Sequence, residues 1–345
     1  MAQLHVICTS VGNQAFHSVY VALKRRGNIS VTGIDSDPLA TGIHIADAGR
    51  SCPPRSQGEE LLDVVTALIQ TQKTNILLPL STEDQGFYSL HRSRLSNSGL
   101  QVIVASETAL QIANNKHHAV EFANKLGIPV PDYVFVDSLV ALRRVVNRCV
   151  ADGVKCVIKR QYGTGFQSVK VIDPFLDQKS DFWSRTKTTL HPAELLRWIE
   201  EFGLDETLMV TEYLPNQHYS VDAVLTSQDD FLACVRTENR HWFGFGIRGE
   251  VIEYPDLIIQ SHKLARAIDL RGPMNIEFKC DNSGVPRLID INPRFGASIG
   301  HTISAGMNLP LALVQSEIGE QYSMTSPTFG SSYIPLLSDV QLLNT

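Results

Sequence analysis

Long apolar runs, paired cysteines, an excess of basic residues, internal repeats and low-complexity linkers are all missing from this chain. A membrane-spanning helix needs about 20 consecutive apolar residues, and no segment offers them. The opening MAQLHVICTSVG also lacks the basic n-region of a signal peptide, so the cytoplasm is the expected compartment and no membrane partner is expected. The six cysteines (Cys8, Cys52, Cys149, Cys156, Cys234 and Cys280) stand singly, mostly inside apolar runs, without the spacings of zinc sites. They read as reduced core thiols. A net charge of −6 is unsuited to a phosphate-neutralising groove, which removes nucleic acid as a partner and favours a small molecule. The first glycine turn lacks the full G-x-G-x-x-G fingerprint, which weakens a reading as an NAD protein.

What is present is an ordinary globular composition, 43% hydrophobic and 19% charged, in 345 residues, enough for two or three compact units. Residues 4 to about 110 alternate apolar runs with helical stretches: LHVICTS, a helix near Asn13–Arg26, ISVTGIDSD, a helix around Gly58–Gln72, NILLPL, a helix after Ser81-Thr82-Glu83, and QVIVAS. This β-α-β rhythm predicts a parallel sheet with ligands at the carboxyl ends of its strands, where Gly12 and Asp35-Ser36-Asp37 lie. A helical pattern over 111–127 ends at Gly127, and Ile128-Pro129-Val130-Pro131 marks a change of unit. Beyond it come VPDYVFV, a helix around Ser138–Ala151, the strand–turn–strand KCVIKRQYGTGFQSVKVID, and a helix near Pro192–Phe202. Strands LMVTEYL, HYSVDAVLT, DFLACVRTE, MNIEFKCD and VPRLIDINPRF follow. The class is α/β followed by α+β.

Three groups of residues carry chemistry. Lys159 ends an apolar strand before Gly163-Thr164-Gly165, a turn that can lay one positive charge and backbone N–H groups over a polyphosphate; a lysine there can also simply snorkel to solvent. Glu277 precedes Asp290 and Asn292 in LIDINPRFGAS, and alternate residues of a strand project one way, so Asp290, Asn292 and Arg294 share a face. Two carboxylates and an amide oxygen are the hard donors Mg²⁺ takes beside nucleotide phosphates, and an arginine can bind a phosphate oxygen. The break at Pro215 after Glu212-Tyr213-Leu214 exposes backbone groups that can pair with a purine edge, although by itself the segment reads equally as a hairpin.

In this order, Lys116, Lys159 with its glycine loop, Glu212-Tyr213-Leu214, Glu277 and Asp290-Ile291-Asn292-Pro293-Arg294 resemble the ATP-grasp superfamily, particularly its carbamoyl-phosphate-synthase-like branch of carboxylate–amine ligases. The resemblance spans nearly the whole chain and includes the closing FGASIGHTISAGMNLP. It implies an ATP-grasp fold with an N-terminal half-Rossmann (pre-ATP-grasp) domain over 1–110, a small lid subdomain over 111–190, a C-terminal subdomain with the metal site over 191–325, and a tail over 326–345. It implies that Lys116 and Lys159 hold the α- and β-phosphates of ATP, and that the loop from Tyr162 to Ser168, with Gly163, Thr164 and Gly165, closes over the nucleotide. Glu212, Tyr213 and Leu214 would hold the adenine and His218 would face the ribose. Glu277, Asp290 and Asn292 would carry two Mg²⁺ ions, with Mn²⁺ an acceptable substitute, and Arg294 would assist the transferred phosphoryl group. Phosphoryl transfer depends on positioning and charge neutralisation, so no protein nucleophile is needed. Three positions depart from the family pattern: Asp290 and His218 stand where glutamates are usual, and Ser168 replaces a common glycine.

The implied reaction is activation of a carboxylate as an acyl phosphate, then attack by an amine to give an amide, ADP and phosphate. Both substrates are small molecules, and a homodimer is compatible with this reading. Glu83, Arg236, Arg240, His241, Arg248, Arg271 and His301 are candidate substrate contacts. Arg248, in the glycine-flexible run FGFGIRGE that is expected to fold over a site, and Arg294 are the favoured catalytic cations. An amino-acid or peptide-forming ligase is preferred because the sequence carries no glutamine-hydrolysing or biotin-carrier domain. A bicarbonate-using carboxylase or carbamoyl-type enzyme, and a degenerate nucleotide-binding regulatory protein, are the alternatives.

Overall fold

The computed structural model describes residues 3–70, 73–163, 168–177, 188–242 and 245–334. The chain forms two compact units, one of residues 1–111, 219–277 and 291–345, the other of residues 112–218 and 278–290.

In the first unit, strands β1 (Leu4–Thr9), β2 (Ile29–Asp35), β3 (Ala48–Ser51), β4 (Thr74–Pro79) and β5 (Leu100–Val102) form a parallel sheet ordered β3-β2-β1-β4-β5. Every residue of β1 is buried, as expected of a central parallel strand covered on both faces. His5 bridges its neighbours within this sheet, its ring nitrogens 3.0 Å from Asn75 Oδ1 and 2.8 Å from Thr32 Oγ1. The strand order reverses beside β1, which creates a switch point at the carboxyl ends of β1 and β4. There Thr9 and Ser10 donate to Asp84 Oδ2 at 2.5 and 2.7 Å, Arg55 Nη1 donates to Asp84 Oδ1 at 2.6 Å, and the Gly12 amide donates to Asp35 Oδ2 at 2.8 Å.

The second unit holds β6 (Tyr133–Val136), β7 (Cys156–Lys159), β8 (Val169–Ile172), β9 (Thr189–Leu190) and β10 (Leu208–Glu212) in the order β6-β10-β7-β8-β9. The expected hairpin around the glycine loop is β7–β8, antiparallel with Lys159 opposite Val169. Helices Leu139–Ala151 and Pro192–Phe202 place Leu142, Val146, Leu195 and Ile199 on Cys156, Ile158 and Val210 of this sheet.

A third sheet comprises β11 (His218–Leu225), β12 (Phe231–Glu238), β13 (Arg240–Trp242), β14 (Phe245–Ile252), β15 (Gly272–Cys280) and β16 (Pro286–Asn292). Their order is β13-β14-β12-β11-β15-β16, with β17 (Ser332–Tyr333) on β14. Within the first unit, Phe16, Val19 and Leu23 share one core with Val224, Cys234, Phe295, Ile299 and Leu313. Helix Ile299–Ser304 approaches helix Ala15–Lys24 closely enough that a Cβ on Gly300 would lie 2.7 Å from Ser18 Oγ.

Two expectations about elements need correction. The pattern over 111–127 is two helices, Glu107–Ala113 and Lys116–Lys125, because Asn115 takes the N-cap position and accepts from the amides of His117 and His118. Within the run FGFGIRGE, expected to be a flexible flap, residues 245–250 instead belong to β14, which pairs with β12, β13 and β17, while Phe243 and Gly244 lie outside the described residues. The β-branched and aromatic residue types of this stretch favour a strand more than its glycines favour a flap. Among the described residues no helix is long and apolar enough to cross a membrane.

Candidate nucleotide and metal site

Lys116 and Lys159 come from separate elements of the second unit and are both buried. Lys116 opens its helix directly after the Asn115 cap, and its amide donates to Gln161 O at 3.0 Å, which ties the helix start to the chain following β7. Its Nζ donates to Asp290 Oδ1 at 2.7 Å, while Lys159 Nζ donates to the Ile289 carbonyl at 2.9 Å. Two cations far apart in sequence thus converge on one dipeptide of β16. The base of the glycine loop is fixed: Arg160 N donates to Ser168 O at 2.9 Å, and Gly163 has φ +121°, with Ser168 Cβ only 2.8 Å from where a Cβ of Gly163 would lie. Ser168 therefore packs where a side chain at position 163 would go. Thr164 and Gly165 lie outside the described residues.

Glu212 ends β10, and its carboxylate accepts from the Asp132 amide at 3.0 Å, with Arg287 Nε 3.6 Å away. Tyr213 and buried Leu214 follow, and the linker is held by Asn216 N to Cys280 O at 3.3 Å and Cys280 N to Gln217 O at 2.9 Å. His218 begins β11, half-buried. Lys279 is half-buried beside this linker, and burial lowers its pKa from the usual lysine value.

In the first unit, Asn292 Nδ2 lies 3.4 Å from Glu277 Oε1, and Arg294 Nη2 donates to Asn292 Oδ1 at 3.1 Å. The donors are a carboxylate and an amide on neighbouring strands, the oxygen chemistry Mg²⁺ takes. Among the described residues no three His, Cys, Asp or Glu side chains cluster as a closed metal cage. Mg²⁺ is commonly bound by one or two carboxylates together with substrate phosphates. The residues fit the ion. Asp290, two positions before Asn292 on β16, belongs to the other unit and is held by Lys116.

Arg248 is exposed on β14. Of the other candidate substrate contacts, Glu83 is exposed and Arg271 is engaged by Asp229 and Asp269. Arg236 is 1% exposed, which corrects its reading as a substrate contact. Its Nε donates to Asp222 Oδ2 at 2.9 Å, Nη1 to Glu238 Oε1 at 2.6 Å and Nη2 to Ser220 Oγ at 3.1 Å. Burial opposes its charge, and the two carboxylates more than offset this. Asn275 joins the network by donating to Ser220 and Asp222 at 2.6 and 2.8 Å, and Thr302 donates to Asp222 at 2.7 Å. Sequence reading missed this polar layer. Its signal was polar alternation in otherwise apolar strands, Ser220 with Asp222, Arg236 with Glu238, and Asn275 with Glu277. His301 is buried too, with Nδ1 unpaired among the described residues, and burial lowers its pKa to about 4.

Comparison with known proteins matches residues 205–334 to the family of the ATP-grasp in the biosynthetic pathway with Ter operon. The chain is 21% identical over 234 residues, 63% of its length, to the carbamoyl phosphate synthase large chain of Pyrococcus furiosus, and spans 20% of that relative. Its fold matches N5-carboxyaminoimidazole synthetase of Staphylococcus aureus complexed with ADP, with TM-score 0.72, 13% identity, and coverage of 96% of this chain and 82% of that one. It also matches L-amino acid ligase of Bacillus licheniformis, with TM-score 0.62, 15% identity, and coverage of 92% and 74%.

Proposed function

The chain is an ATP-grasp superfamily protein, distantly related to carbamoyl phosphate synthase, and on that premise we propose that it is an ATP-dependent carboxylate–amine ligase working in the cytoplasm on an amino-acid-like substrate. The observation that carries the reading is the convergence of buried Lys116 and Lys159 on Ile289–Asp290. Two buried lysines directed at one dipeptide suit a polyphosphate, whose negative charges they would meet.

In this reading Lys116 exchanges its contact with Asp290 for a phosphate oxygen when nucleotide binds, which frees the carboxylate for a cation. Lys159 and the loop from Tyr162 to Ser168 orient the β-phosphate. The linker backbone at Glu212–Leu214 receives the adenine, and His218 donates to a ribose hydroxyl. Glu277, Asp290 and Asn292 would hold magnesium, which supplies charge neutralisation on the phosphates when bound. Arg294, already directed by Asn292, and Arg248 supply positive charge where the acyl phosphate develops. The amine then attacks, forming the amide bond and releasing phosphate.

The test is ADP release with a panel of amino acids, singly and in pairs, against bicarbonate. Stimulation by amino acids with an amide product supports the ligase. Stimulation by bicarbonate alone would assign a carboxylase or carbamoyl-type activity instead, and nucleotide binding without turnover would assign a regulatory protein. Lys159→Ala, with an unchanged circular dichroism spectrum, is expected to lower turnover at least about a hundredfold.

A further inference from the structure

The linker from Tyr213 to Gln217 and the end of β15 are stitched together within the second unit by the Asn216–Cys280 and Cys280–Gln217 backbone bonds, and by Asn216 Nδ2 donating to Asp281 O at 2.6 Å. Two lysines reach the ring that this linker carries: Lys279 Nζ lies 5.4 Å and Lys155 Nζ 5.6 Å from the Tyr213 centroid. They differ in one respect. Lys155 is paired with Asp173 Oδ2 at 2.7 Å, whereas Lys279, half-buried, has no carboxylate partner among the described residues. The ring face is worth about 0.5–2 kcal/mol to a cation and accepts no conventional hydrogen bond, so the N–H donors of Lys279 are not satisfied by it.

We propose that Lys279 reads the purine of the bound nucleotide, donating to a ring nitrogen that the linker backbone leaves unpaired. This rests on the reading that the base sits against Glu212–Leu214. A backbone donor and acceptor on that linker match the N1 and amino group of adenine, which leaves N3 and N7 as the acceptors of the ring. A lysine presents only donors and so complements either nitrogen. Lys155, committed to Asp173, braces Tyr213 without entering the contact.

The test is calorimetric binding of ATP, 7-deaza-ATP and 3-deaza-ATP to the full chain and to Lys279→Met, which keeps the apolar stem. The wild type is expected to bind one deaza analogue about tenfold more weakly than ATP, as loss of one charge-assisted hydrogen bond requires. Lys279→Met is expected to bind ATP at that weaker level and to lose the discrimination. Equal binding of all three nucleotides by the wild type, or discrimination retained in Lys279→Met, overturns the assignment while leaving the nucleotide site standing. If none of the three binds the wild type, the nucleotide reading itself fails and this assignment falls with it.

Discussion

Lys116 and Asp290, 174 positions apart in sequence, meet at 2.7 Å with only 8% and 20% of their side chains exposed. The pair joins the residue expected at a phosphate to a residue expected at a metal, and each compensates the charge of the other. Asp290→Asn keeps an acceptor for Lys116 but removes the negative charge. It is expected to raise the magnesium concentration for half-maximal turnover by about tenfold or more, while the urea midpoint moves little. An unchanged magnesium titration would remove Asp290 from the ligand set.

Arg236 and Arg248 predict opposite outcomes. Arg236→Met leaves Asp222 and Glu238 buried without their cation, which is expected to destabilise the fold by roughly 3–5 kcal/mol. Arg248→Ala removes an exposed side chain, so turnover should fall while the unfolding curve is unchanged. A normal urea midpoint for Arg236→Met would show that the network is not structural.

His301 sets a pH dependence. Burial, reinforced by nearby Arg236, holds its folded pKa near about 4 against an ordinary 6.5. The unfolded chain therefore binds the extra proton first as the pH falls below 6.5, and stability from this group declines down to about pH 4 and is then level. His301→Phe, which keeps a ring beside Tyr333, is expected to reduce the loss of stability between pH 7 and 5 in urea titrations. Equal losses in both proteins would contradict the assignment.

Gly296 lies against the same network, where a Cβ would come within 2.9 Å of Asn275 Nδ2 and 3.0 Å of Asp222 Oδ1. Gly296→Ala must displace either the pair or the turn that carries Asn292 and Arg294. A stability loss of about 1–3 kcal/mol is expected, together with weaker magnesium-dependent turnover. Wild-type behaviour in both assays would mean that the turn moves freely.

Much of the architecture was legible because it is written in local periodicity. Strands β1, β2, β4 and β5 of the parallel sheet follow from apolar runs alternating with helical ones, the β7–β8 hairpin from two runs around a glycine turn, and helix Pro192–Phe202 from its pattern, whereas β3 is the exposed segment AGRS and has no apolar run to announce it. Helix 111–127 failed at Asn115 because a single capping side chain outweighs a continuous apolar pattern. β14 was misread because glycine permits a flap but does not prevent a strand when partners lie on both sides.

The sequence by itself determined the ordered residues that resemble ATP-grasp proteins and the chemical types available for phosphate and metal. Only the tertiary structure decided how they are engaged: that Lys116 reaches Asp290, that Lys159 reaches the Ile289 carbonyl, and that Arg236 is buried under Asp222 and Glu238. The physical reason is that a charged side chain carries no record in sequence of its distant partner. Whether it meets solvent, a ligand or a counter-charge depends on which strands become neighbours, and that is fixed only when the sheets form.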